Sequence, residues 1–488
     1  MNNNIYNTPE FKENLKKYEA ARQTGSSVYL EPDDLTDISE YYHLHGRLDD
    51  ALEANRLALQ MFPGATSPLV FRARVALLVD NDPQKAMAIA DKISDKTDFD
   101  YYYILAEIWI AQGNIKEAED YLEEKYHQIS DEDDAEDFVL DVATLYADYD
   151  EFRMAKQWLN ISTLDDNPDY KELEGRIAMG EGHYEKSERI FNKLLDNDPY
   201  SSDYWDQLAS SQFLHRNLKG SIESSDFSLA IDPDNPDAII NKANGLAALG
   251  NLDEALNYYQ RFCELQPHSE LGEMGVASVF TTQRKFAEAL KHLQKAETVA
   301  GFNNPNRLEI LRQQCLVNAY LGHYEDAFAN IDQMDQAHNH VDAENAVLRG
   351  YVYLMAQHRD MASQWFDFAI TSAARGDVSR VKLLIAYSAY DSGYPEICYH
   401  FLHELLSGRE RNRKAFQEAY IILALCDAIQ GKTEEFLNDL HTCVTMMPEE
   451  TFRSMADFFP KGMTINDFET YAREHTREII SNIQNNES

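Results

Sequence analysis

PDAIINKANGLAALGNLDEALNYYQRFCELQPHS, residues 236–269, carries the reading of the whole chain. It holds two amphipathic stretches of about a dozen residues, apolar at i, i+3, i+4 and i+7, with a short turn at Gly250 between them. That pattern specifies two helices folded back on each other. Small Ala243 in the first stretch stands twelve residues before small Ala255 in the second. Two helices approach closely only where side chains are small, so this pair marks the contact. Tyr259 and Phe262 fill the space around it, and Pro267 follows the second helix.

Working outward, segments starting at Pro168, Ser202 and Pro236 repeat at 34 residues and end near Pro199, Pro233 and Pro267. The register between small positions extends in both directions. Ala106 and Ala118, Ala143 and Ala155, Gly175 and Ser187, Ala209 and Ser221, and Ala277 and Ala289 obey it. So do Cys315 and Ala327, Gly350 and Ala362, and Ala386 and Cys398. The register places about twelve units, starting near Pro32, Ser67, Phe99, Glu136, Pro168, Ser202, Pro236, Glu270, Leu308, Ala343, Ser379 and Gln417. Three units depart from it. The first has Ser39 at its small position, and the second has Arg74 there with Ala73 beside it, which predicts a one-residue shift. The twelfth carries Phe436 at its second small position, which predicts altered packing. Spacing widens to 35–38 residues after residue 270, as longer turns would produce.

The pattern closely resembles the tetratricopeptide repeat, over roughly residues 32–450. The resemblance implies an all-α fold, an α-solenoid forming one right-handed superhelix of about twelve helix-turn-helix units, of the long acidic type common in bacteria. Residues 1–31 and 451–488 are expected to form N-terminal and C-terminal capping helices, because a terminal repeat would otherwise expose an apolar face. Thr8 before Pro9 starts a helix whose face is Phe11, Leu15, Tyr18 and Ala21, and Gly25 ends it. After Pro460 and Gly462, a last helix from about Asn466 presents Phe468, Ala472, Ile479 and Ile483 inward. No linker separates domains.

The chain has 488 residues, with 44 Lys plus Arg against 84 Asp plus Glu, for a net charge of −40. Apolar residues at 44% supply a core, so the charge does not mark disorder. Low Gly and Pro, 20 and 14, disfavour turn-rich β folds. A surface this negative repels phosphate backbones and anionic headgroups, which argues against nucleic acid and membrane surfaces as partners. The start, MNNNIYNTPE, carries no secretory signal pattern, and no run approaches the roughly 18 apolar residues that span a bilayer, so a cytoplasmic location is expected. Cys263, Cys315, Cys398, Cys426 and Cys443 form no CxxC pair and read as small buried side chains.

Catalytic patterns are missing. There is no GxxxxGK, GxGxxG, HExxH or GxSxG and no long non-repeat segment, so neither an enzyme nor a cofactor is expected. His400 and His403 with Glu404 have helical spacing for a metal, but the plainer reading packs one His between helices and leaves the other solvated. His338 and His340, and His43 and His45, lie near turns and make no site. The run SDEDDAED, residues 130–137, lacks an EF-hand's glycine and terminal glutamate and reads as a solvated turn and helix start. Most tyrosines, among them Tyr42, Tyr146, Tyr259 and Tyr324, fill inter-helix space. Tyr103, Phe213, Tyr351, Tyr387 and Tyr390 fall outside that register and are kept as candidate partner contacts.

The resemblance implies that the first helix of each unit lines a concave groove through its second, fifth, ninth and twelfth positions. Position two reads Asp33, Asp100, Asp137, Asp169, Asp203 and Asp237, then Glu309, Glu344 and Glu418. Such residues also suit a helix start. Glu40, Glu107, Glu172 and Asp206 add charge deeper in the N-terminal half, whereas Ile240, Met274, Leu316, Val347, Leu383 and Ile421 make the C-terminal half apolar. Chaperone-binding members grip a terminal carboxylate with Lys and Asn. Here Asn241 and Asn244 match the amides, but Asp237 and Ile240 stand where lysines belong, so that clamp is absent. The expected function is a non-enzymatic scaffold holding a protein or peptide with a basic or apolar segment. The alternative is a peptide- or ligand-sensing regulator.

Overall fold

The computed structural model describes residues 5–486 apart from 7, 302, 303, 305, 339, 340, 375, 408–412 and 461. Among the described residues every regular element is helical. Contacts gather the chain into two compact units, residues 1–283 with 295–305, and residues 284–294 with 306–488.

In the first unit, α1 (Pro9–Thr24) caps a series of antiparallel helix pairs. The first helices of the pairs are α2 (Pro32–Leu44), α4 (Thr66–Arg74), α6 (Phe99–Ala111), α8 (Glu132–Asp148), α10 (Pro168–Gly180), α12 (Ser202–Leu214) and α14 (Pro236–Ala248). Their second helices are α3 (Leu48–Met61), α5 (Pro83–Ala90), α7 (Ile115–Tyr126), α9 (Phe152–Leu159), α11 (Tyr184–Asn197), α13 (Leu218–Ile231) and α15 (Leu252–Leu265). Then come α16 (Leu271–Thr282) and α17 (Phe286–Ala300), the latter divided between the units. The second unit continues with the pairs α18 (Arg307–Leu321) and α19 (Tyr324–His338), α20 (Ala343–Met355) and α21 (Arg359–Ser372), α22 (Val378–Asp391) and α23 (Pro395–Ser407), and α24 (Arg413–Ile429) and α25 (Thr433–Met446). It ends with α26 (Pro448–Met455) and α27 (Ile465–Asn486).

Local chemistry explains where the helices begin. Asn167, Ser201 and Asn235 accept hydrogen bonds from the backbone NH groups of Asp169, Tyr204 and Asp237, and Pro168 and Pro236 occupy first-turn sites where no NH is needed. Helix α8 starts a turn earlier than Glu136, the start read from the register. Asp131 caps it, and Glu132, Asp133 and Asp134 favour the positive end of its dipole. The acidic run therefore builds helix.

The small-residue register is the packing register. Ala106, Ala118, Ala143, Ala155, Ala209, Ser221, Ala243 and Ala255 are fully buried. A Cβ on Gly350 would lie 2.2 Å from the Phe366 ring, so only glycine lets α20 and α21 approach this closely. Repeat two shifts by one residue, as expected. After α4 a π-helical segment, Val75–Val79, absorbs an extra residue, so Ala73 and Ala86 occupy the contact and Arg74 turns away from it. In the twelfth pair Phe436 is wholly buried where others carry a small side chain. At the C-terminus Phe468 stacks on Phe459 at 3.9 Å, and Ala472, Ile479 and Ile483 are buried with it.

Cys315, Cys398, Cys426 and Cys443 are buried, Cys263 is half-buried, and all five are free thiols.

Candidate functional site

Consecutive first helices pack on one another from α2 to α16, while among the described residues no packing of comparable extent links consecutive second helices within this series. The first helices therefore lie on the inside of the curve. Carboxylates line that inner face in the first unit. Desolvation raises the pKa of Asp37, Glu40, Asp100, Asp141, Glu172 and Asp237. Neighbouring carboxylates add to it from one repeat to the next. Asp33 acts on Asp100, Asp100 and Asp169 act on Asp141, and Asp203 acts on both Glu172 and Asp237. Asp237 and Asp100 stay open to solvent, yet the wall around them withholds enough water to disfavour charge.

Among the described residues, the side chains of Arg74 and Arg176 bring positive charge into this row. Arg74 donates from Nε to Glu107 Oε2 at 2.9 Å and acts on Glu40 and Asp100. Arg176 pairs with Asp148 and acts on Glu172. The carboxylates still outnumber the cations.

Several residues read as groove-lining are turned into the wall. Glu107 is buried, held by Arg74 and by the Tyr149 hydroxyl at 3.3 Å. Asp206 is buried too. Its Oδ2 accepts from Asn235 Nδ2 at 2.6 Å, its Oδ1 has no hydrogen-bond partner, and burial pushes its pKa up to about 8 although Ser228 and Asn235 favour the charged form. Asn241 spends its amide on the Asp206 carbonyl oxygen and on Ser210 Oγ. Tyr103 is a core ring 5.4 Å from Phe138, and Ile240 packs half-buried in the core beneath α14.

Other candidates remain reachable. Glu172 and Asp203 are half-exposed on the inner face, and Asp237 is exposed. Phe213 and Asn244, on neighbouring repeats, meet at the wall of one cavity.

The second unit's inner face is built differently. Arg312 and Arg380 grip Glu344 at 3.0 and 2.5 Å and, against the burial that opposes them, hold its carboxyl below the usual range. Tyr351 is buried, and its hydroxyl joins that of Tyr320 in donating to Asp391 Oδ2, at 2.7 and 2.6 Å. Tyr390 is half-buried and Tyr387 exposed. These arginines and Asp391 escaped the sequence reading. Arg380 and Arg312 stand at the second and fifth positions of their units, where they break the acidic and apolar pattern read along the groove, and Asp391 lies one residue past the twelfth position.

His400 and His403 are both exposed, so neither packs between helices. His400 Nε2 lies 3.5 Å from Glu404, and His403 stacks on Tyr399. His340 falls outside the described residues. Among those described, no group of three or more His, Cys, Asp or Glu could hold a metal ion, and no helix is long and apolar enough to cross a membrane.

A chain of helix pairs, closed by small residues at a fixed register and curved with its first helices inside, defines an α-solenoid of helical repeats. Residues 240–304 match the tetratricopeptide-repeat family model. Over those residues the chain is similar to tetratricopeptide-repeat proteins. Its fold is similar to that of yeast Tom70, at 15% identity over 98% of this chain and 95% of that one, with a TM-score of 0.44. A tetratricopeptide repeat protein from Parabacteroides merdae is similar at 15% identity over 58% and 98%, with a TM-score of 0.41. PilW, described as a type IV pilus biogenesis factor, is similar at 15% over 44% and 97%, with a TM-score of 0.39. No curated protein matches the chain.

Proposed function

We propose that the chain is a non-enzymatic scaffold whose first unit holds a Lys- or Arg-bearing segment of a protein partner on its inner face. The observation that carries this reading is the row of under-compensated carboxylates from Asp37 to Asp237. Each carries an electrostatic penalty that a partner's cation relieves, because an opposite charge within a few ångströms favours the ionised form. The same row repels nucleic acid, anionic lipid and a partner's terminal carboxylate. Five free thiols accord with a reducing, cytoplasmic setting.

The test is retention of natural partners from lysate by the wild-type chain and by a Glu172→Lys, Asp203→Lys, Asp237→Lys variant. Asp206 is left intact because a buried lysine there would test folding. The variant should lose the partners, and raised salt should weaken wild-type retention. Retention unchanged by both would refute the reading.

A further inference from the structure

Deepening that reading, and resting on it, we infer that α12, α14 and α16 form a two-anchor subsite for an extended peptide, taking an apolar side chain in one cavity and a Lys or Arg three or four residues away at Asp237.

A cavity of about 270 Å³ opens where these three helices meet. Phe213, Ala247, Leu252 and Val279 give it apolar walls, and Asn244 and Ser278 stand among the lining residues. It accepts an apolar side chain such as Leu, Met or Phe. Asn244 is oriented by its neighbour, since the Tyr259 hydroxyl donates to its Oδ1 at 2.7 Å. That leaves the Asn244 NH2 group for an incoming acceptor. A helical guest has already used most of its backbone carbonyls, whereas an extended one presents them freely.

The second anchor follows from helix geometry. Asp237 lies seven residues before Asn244 on α14, two turns along the same face, or about 10 Å at 1.5 Å per residue. Its carboxylate is exposed, pairs with no cation among the described residues, and sits beside Asp203 and the buried Asp206. An extended chain rises about 3.3 Å per residue, so three or four residues bridge the anchors. A helix would need about seven.

The experiment uses the full chain and synthetic Gly/Ser peptides carrying one Leu and one Arg at spacings from one to eight, in both orders, with binding read by ligand-observed NMR. Affinity should peak at spacing three or four and fall about tenfold at spacing one. The peak should vanish in Ser278→Trp, which fills the cavity mouth from an exposed position, and in Asp237→Asn, which keeps shape and removes charge. Arg-dependent binding without a spacing preference, or unchanged in both variants, would overturn the two-anchor subsite while leaving the acidic scaffold standing. A peak at seven would overturn the extended form. Absence of binding by every peptide, together with partner retention that ignores the Lys reversals, would overturn both.

Discussion

Glu107 keeps its place inside the first unit because Arg74 and Tyr149 meet both of its oxygens. Removing one partner of a buried ion pair strands the other, at a cost of about 3–5 kcal/mol when the pair is fully buried. Arg74 is partly open to solvent, so Arg74→Ala should lose about 2–3 kcal/mol in denaturant unfolding. Arg74→Met with Glu107→Leu should regain most of it. Asp206 makes a pH prediction. Its folded pKa of about 8 lies above the ordinary 3.8, so the folded chain holds a proton that the unfolded chain releases. That stabilisation is complete below about pH 4 and is lost as pH rises through 8. Asp206→Asn imitates the protonated form, so its thermal stability should decline less steeply across this window than the wild type's. Matching profiles would show that Asp206 is ionised when folded. The register places both carboxylates on the inner side of their helices. It is silent on Arg74 and Asn235, which lie 33 and 29 residues away and turn them into the wall.

At the scale of elements, the hairpin turn is the recurring device. A residue with left-handed backbone stands at each of twelve turns, glycine at 46, 113, 182, 250, 322, 393 and 431, and Asn81, Asp150, Arg216, Arg284 and Gln357 at the others. The left-handed conformation costs a non-glycine residue about 1–2 kcal/mol, part of which glycine's greater unfolded-state freedom offsets. Arg216→Gly and Gln357→Gly should therefore each stabilise by about 0.5–1 kcal/mol, and Gly250→Ala should destabilise by a similar amount, all read from denaturant midpoints. The helices themselves were legible. The starts expected at Pro32, Phe99, Pro168, Ser202, Pro236 and Ala343 are the observed ones, because proline and capping side chains mark them. Ser67, Glu270, Leu308 and Ser379 fall one residue from the observed starts, and Glu136 and Gln417 fall four residues after Glu132 and Arg413. At Glu136 the repeat template stops short of a cap that the acidic run supplies one turn earlier.

At the scale of the whole molecule, a periodic sequence encodes contacts between neighbouring repeats and little about distant ones. Within the first unit, Gln266 Nε2 donates to the Leu44 carbonyl oxygen at 2.7 Å, joining the end of α15 to the turn after α2 across 222 residues. Gly46 makes this possible, since a Cβ there would lie 2.3 Å from the Leu265 carbonyl oxygen, and its φ of +68° is strained for other residues. Gly46→Val should part the contact and enlarge the radius of gyration in small-angle scattering while the helical circular dichroism is kept. An unchanged radius would show that the contact does not hold the unit together. The division into two units was likewise invisible, because the register runs through α17 without a break. Charge was the legible part of the site. Position two repeats an acid along the first helices, and in the first unit burial raises the pKa of two of these acids, Asp100 and Asp237, with Asp33 and Asp203 adding their charge. The most direct test of the carboxylate row as the partner-binding face is hydrogen–deuterium exchange of the full chain with and without a captured partner. Slowed exchange is expected in α10, α12 and α14, with α11 and α13 unchanged. Protection confined to the second helices, or to the second unit, would contradict it.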